Sequence, residues 1–140
     1  MEVFDISITD KALTNIDILF YVKELQIPNF RGVFMRDDLP ITKPWDLECG
    51  IVNLNKLSEP GSHWICYYKH HDEKIYFDSY GQTMLAEIKK YLGGKSLRNT
   101  DIVQPYNTKI CGHLCLFVSQ CDKQTPGVIV RKFYFLVNHE

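Results

Sequence analysis

The chain has 140 residues, 45% hydrophobic and 24% charged, with a formal net charge of −1. This is the balance of an ordinary globular protein and predicts one domain over residues 1–140 around a single core. It excludes a strongly basic nucleic-acid-binding surface, a membrane span of ~20 apolar residues and, since Met1-Glu2-Val3-Phe4-Asp5 is acidic, a signal peptide. The expectation is therefore an intracellular protein. Its five cysteines, odd in number and unevenly spaced, read as free thiols.

In chain order, the first predicted element is a helix after Thr14, a candidate N-cap, with Ile18, Val22 and Leu25 at helical spacing and Pro28 beyond its end. A polar, proline-containing stretch over residues 36–48 leads to a short strand at 50–54. Residues 63–69 and 74–79 are β-rich runs on either side of the polar turn His70-His71-Asp72-Glu73, and so predict a hairpin. An amphipathic helix is expected over 83–92, closed by Gly93-Gly94. The densest basic group, Lys89, Lys90, Lys95 and Arg98, reads as a solvated face. A brief strand at 101–104 ends before Pro105, and residues 111–121 form a mostly apolar, buried helix. The runs 128–130 and 133–137 are too short to separate strand from buried helix. The predicted class is α+β, a mainly antiparallel central sheet flanked by helices.

Within this frame three residue types converge. With His70 and His71 as central turn residues, cross-strand partners sum to 141, which sets His63 opposite Asp78 with Cβ atoms ~5 Å apart. A turn longer by two residues makes them diagonal neighbours. Trp64, Cys66, Ile75 and Phe77 occupy the other face. A carboxylate facing a histidine fixes its tautomer and stabilises its imidazolium, although a purely structural His–Asp pair has the same spacing.

Cys111 lies where an irregular polar segment enters the apolar helix, and a thiol there gains from the helix dipole and the free N–H groups. Gly112 leaves room for a substrate backbone. The free N–H of Cys111, with the side-chain amide of Gln104, can hold an oxyanion. A lone buried cysteine is more often core; Cys66, Cys115 and Cys121 read that way. A zinc site from Cys111, His113, Cys115 and Cys121 fails on spacing, because His113 falls on another helix face, so no metal is expected.

The segments GSHWICYY, IYFDSYG, Gln104 and ICGHLCLFV together resemble the adenovirus-type cysteine endopeptidases (adenain) and the related ubiquitin-like-protein (SUMO) proteases. The stretches at 27–40 and 48–57 look like the adenain-type enzymes of Maverick/Polinton elements and related DNA viruses. The likeness runs from about Leu13 to Ser119. It implies a cysteine-proteinase fold with His63 as base, Asp78 as acidic member, Gln104 in the oxyanion hole and Cys111 as nucleophile. Trp64 and Gly112 match neighbours that line the substrate groove. No cofactor is implied. The expected partner is a polypeptide cut after small, glycine-rich sites, namely a capsid or core precursor, with an activating peptide as a further partner. Removal of a ubiquitin-like modifier uses the same apparatus, and a catalytically decayed copy acting as a binding module is the rival outside enzymes. Arg31, Arg36 and Asp37 have no assigned role beyond salt bridging or groove lining.

Overall fold

The computed structural model describes residues 2–3, 6–7, 11–104 and 107–120. The two possible elements at 128–137, the residue Cys121, and Pro105 with Tyr106 lie outside this set. Two short strands, β1 (Glu2–Val3) and β2 (Ile6–Ser7), pair with each other. The helix α1 (Asn15–Glu24) starts from Thr14, whose hydroxyl accepts from the Asp17 N–H while Asp17 accepts from the Thr14 N–H, a reciprocal capping box. The expected inward residue Ile18 is fully buried, whereas Ile16, Leu19 and Phe20 face outward.

A five-stranded sheet follows in the order β3 (Phe30–Met35), β4 (Leu47–Asn53), β5 (Trp64–His70), β6 (Glu73–Phe77) and β7 (Leu97–Arg98). Its centre is antiparallel, and each edge carries a parallel strand. The helices α2 (Ala86–Leu92) and α3 (Cys111–Gln120) complete the α+β fold. Both faces of the sheet are covered, so its central strands are buried on alternate residues in both directions. On one face Cys49, Ile51, Trp64, Cys66, Tyr68, Ile75 and Phe77 pack with α1 and α3. On the other Val52, Ile65, Tyr67 and Tyr76 pack with Ile88 and Leu92 of α2. Among the described residues no helix is long and apolar enough to cross a membrane.

Three local expectations are corrected. β3 was not anticipated, because Arg31 and Gly32 break its alternation and all six of its residues are only half-buried at the sheet edge. Residues 101–104 form no strand; the Ser79 carbonyl accepts from the N–H groups of both Val103 and Gln104 and folds that segment against the end of β6. The hairpin turn is shifted by one residue: Cys66 pairs with Phe77 and His70 with Glu73, so the central residues are His71, at φ 53°, and Asp72. Partners therefore sum to 143, and His63 and Asp78 are diagonal rather than opposite.

Candidate active site

The hairpin brings together residues that flank its strands. His63 precedes β5, and its carbonyl accepts from the Leu54 N–H at 3.0 Å, which ties it to the end of β4. Asp78 follows β6. The diagonal offset is short enough for His63 Nε2 to meet Asp78 Oδ1 at 2.6 Å, with both side chains nearly buried. This contact leaves Nδ1 as the ring nitrogen available to the neighbouring thiol of Cys111, whose charge acts on the ring. The ring stacks on Tyr80, centroids 4.7 Å apart.

Asp78 is held in turn by its surroundings. Its Oδ1 also accepts from the Tyr80 N–H at 2.9 Å, and Gly81 N–H closes the turn on the Asp78 carbonyl. Buried Asn99 grips the Asp78 peptide from both sides: Oδ1 accepts from its N–H at 3.0 Å, and Nδ2 donates to its carbonyl. Sequence reasoning missed Asn99 and Tyr80. Tyr80 could have been flagged by its proximity to Asp78; Asn99 is twenty-one residues away and carries no local signal.

Cys111 begins α3, whose first intrahelical bond runs from Leu114 N–H to Ile110 carbonyl. Burial opposes its ionisation, but the His63 ring and the N–H groups of Trp64 and Gly112 outweigh that and lower its pKa from the ordinary thiol value. The Trp64 N–H lies 3.5 Å from Sγ. Burial likewise opposes protonation of His63, yet the hydrogen bonds to Asp78 and Cys111 and their charges raise its pKa to about 9. The two displacements run in the directions that favour a thiolate beside an imidazolium.

Gln104 is buried, its Oε1 accepting from Ser79 Oγ at 2.6 Å and its Nε2 donating to the Thr108 carbonyl at 2.7 Å. One hydrogen of the amide is thus used to hold the segment that leads into α3, and a second N–H remains. Gly112 differs from expectation: the space a Cβ would fill is occupied by Leu13 and by Trp64 Cδ1, at 3.2 and 3.3 Å. Its missing side chain lets these two pack onto α3, and Trp64 Nε1 fastens the arrangement by donating to the Leu13 carbonyl at 2.8 Å. Beneath the site Cys66 and Cys115 are fully buried partners, and burial pushes the Cys115 thiol up. Buried His113 is held below the usual imidazole range by desolvation, partly offset by Asp17.

No protein-family model matches the chain, and no curated protein matches it in sequence. Solved structures do match. A crystal structure of ASFV pS273R protease superposes with a TM-score of 0.59 at 16% identity, covering 93% of this chain and 62% of that one. Its selenomethionine form gives 0.60 at 14% identity, covering 94% and 64%. At such identities the likeness is one of fold, and the chain spans less than two thirds of the length of those structures.

Proposed function

We propose that the chain is a cysteine endopeptidase in which Cys111 is the nucleophile, His63 its base and Asp78 the group that orients the histidine. The observation that carries this reading is a single imidazole that meets a buried carboxylate at 2.6 Å and lies beside a thiol at a helix N-terminus. A structural His–Asp pair does not require the thiol, and a core cysteine does not have its pKa lowered. The fold shared with a viral protease supports the same conclusion.

In the proposed reaction the Cys111 thiolate attacks the scissile carbonyl, forming the C–S bond as the carbonyl π electrons move to oxygen. The Cys111 N–H and the second N–H of Gln104 receive that oxyanion. His63 gives its proton to the departing amine as the C–N bond breaks, leaving a thioester. Water, deprotonated by His63, then releases the acid and restores the thiol. The substrate reading is cleavage after small, glycine-rich sites in capsid or core precursors of a virus or transposable element. It follows the motif resemblance together with the viral origin of the matched protease fold.

Alkylation by iodoacetamide at about pH 6, read by peptide mass spectrometry, tests the pair. An unperturbed thiol, with pKa ~8.5, is almost wholly protonated there. The expected result is rapid labelling of Cys111 alone, slowed at least about tenfold in His63→Ala. Uniformly slow labelling of every cysteine would refute a working thiolate–imidazolium pair.

A further inference from the structure

The cleft beside Trp64 carries chemistry that the proposed reaction does not use. It encloses about 570 Å³ and extends from Leu13 and Trp64 to Met35, Asp38, Leu57 and Glu59. Leu13 and Trp64 are the residues packed on Gly112, so the cleft opens next to the nucleophile. Its charged lining is one-sided: Asp38 and Glu59 contribute carboxylates, and no Lys, Arg or His among the described residues lines it. Both acids are exposed, and Glu59 uses Oε1 to accept from the Lys56 N–H, leaving Oε2.

A second, independent feature points to a ligand. Asn53, also in the lining, is fully buried. Its Oδ1 accepts from the N–H groups of Asn55 and Ser62, which fixes the amide's orientation, yet Nδ2 has no hydrogen-bond partner. That nitrogen lies 3.3 Å from the position a Cβ on Gly61 would take, and Gly61 lines the same cleft. An unpaired buried donor is costly, and a main-chain carbonyl of a bound peptide would satisfy it.

We propose that this cleft is a subsite for a lysine or arginine of the substrate, within the three or four residues that precede the scissile bond. The inference rests on the endopeptidase reading above. The aliphatic stem would lie along Met35 and Leu57 while the cationic head meets Asp38 and Glu59. The side of the bond follows from proton delivery. His63 must reach the departing amine, and it stacks on Tyr80, which lines a separate cleft with Thr108 and Lys109. The departing half therefore runs along Tyr80, and the acyl half along Trp64.

The test compares glycine-containing peptides that carry arginine, citrulline or glutamate at each position before the cut. Citrulline keeps the shape of arginine without its charge. At low salt, kcat/KM is expected to favour arginine over citrulline by about threefold to tenfold at one position, the scale of solvent-exposed ion pairs. Added salt should shrink that ratio. In an Asp38→Asn, Glu59→Gln variant the ratio falls to near one, and in Asp38→Lys, Glu59→Lys the preference passes to glutamate. Labelling of Cys111 in each variant shows that the fold is retained. Equal rates for arginine and citrulline everywhere, or a preference that the variants do not move, would overturn the subsite and leave the endopeptidase standing. Failure to cleave any peptide while Cys111 still labels would overturn both.

Discussion

In the proposed reaction the deciding residue is His63, and its behaviour depends on Asp78. With the carboxylate 2.6 Å from Nε2, the ring is held with a proton on that nitrogen and its cationic form is stabilised. Asp78→Asn keeps the shape and removes the charge, so the imidazole pKa should fall from about 9 toward its ordinary value. Activity on the alkaline side is lost as His63 gives up its proton, so the alkaline limb of the kcat/KM profile should move to lower pH in this variant. The rate at neutral pH should fall by about 10²–10³-fold, in the range of general-base and orienting effects. For stability the sign is fixed in the same way. A folded pKa above the unfolded 6.5 contributes stability that is complete below about 6.5 and is lost as the pH rises through about 9. Thermal unfolding of wild type and Asp78→Asn should differ most on the acidic side of that window. The approach of His63 to Asp78 was legible in the sequence because a hairpin makes it a local consequence of two strand ends. Asn99, which holds the Asp78 peptide from a remote segment, was not legible, because no periodicity connects it to β6.

At the scale of elements, turns set the site more than strands do. Gly81 at φ 63° closes the turn after Asp78, and a Cβ there would run into the carbonyl oxygens of Thr100 and Asp101. Gly93, at φ 68°, ends α2 with open space around it. Both glycines have a positive φ, and they differ in what surrounds them. At φ 68° and ψ 166° Gly93 occupies a region essentially reserved for glycine, so Gly93→Ala should cost about 1–3 kcal/mol of backbone strain and leave Cys111 labelling unchanged. Gly81→Ala adds a backbone collision, so its cost should exceed about 2 kcal/mol and Cys111 labelling should slow as the Asp78 turn shifts. Denaturant unfolding with labelling at pH 6 checks both. The same distinction explains what the sequence concealed. α1, α3 and the hairpin were legible because capping, apolar content and β-branching agree locally. β3 and the clip of residues 103–104 onto Ser79 depend on partners far along the chain, and the one-residue shift of the turn depends on His71 accepting a positive φ. The packing of Leu13 and Trp64 over Gly112 is likewise non-local, which is why the glycine was first read as room for substrate.

Across the whole molecule, a buried charge network and the candidate active site lie at opposite ends of the central strands. Glu48, fully buried near the start of β4, accepts from Arg31 Nη1 at 3.0 Å and from the Trp45 N–H at 2.9 Å. It also accepts from the hydroxyls of Tyr67 and Tyr91, each at 2.6 Å. Arg31 continues the network by stacking over Trp45 and donating to Thr42, so one carboxylate joins the edge strand, the loop before β4, the sheet centre and α2. Arg36, the residue after β3, makes a second tie to α2 through its paired bonds to Glu87. In β5 the partner of Glu48 is Lys69, six residues from His63, or ~20 Å along an extended strand. Glu48→Gln leaves Arg31 without its counter-charge and turns one acceptor oxygen into a donor facing groups that are already donors. Breaking a buried pair in this way costs about 3–5 kcal/mol, equivalent to a fall in Tm of about 10 °C or more for a chain of this size. At 20 °C, where the variant remains folded, the rate and selectivity of Cys111 labelling at pH 6 should match wild type. The expected signature is therefore a large loss of Tm with unchanged thiol reactivity, the reverse of Asp78→Asn. A labelling rate that falls in parallel with stability would show that the two ends of the sheet are mechanically coupled rather than separate.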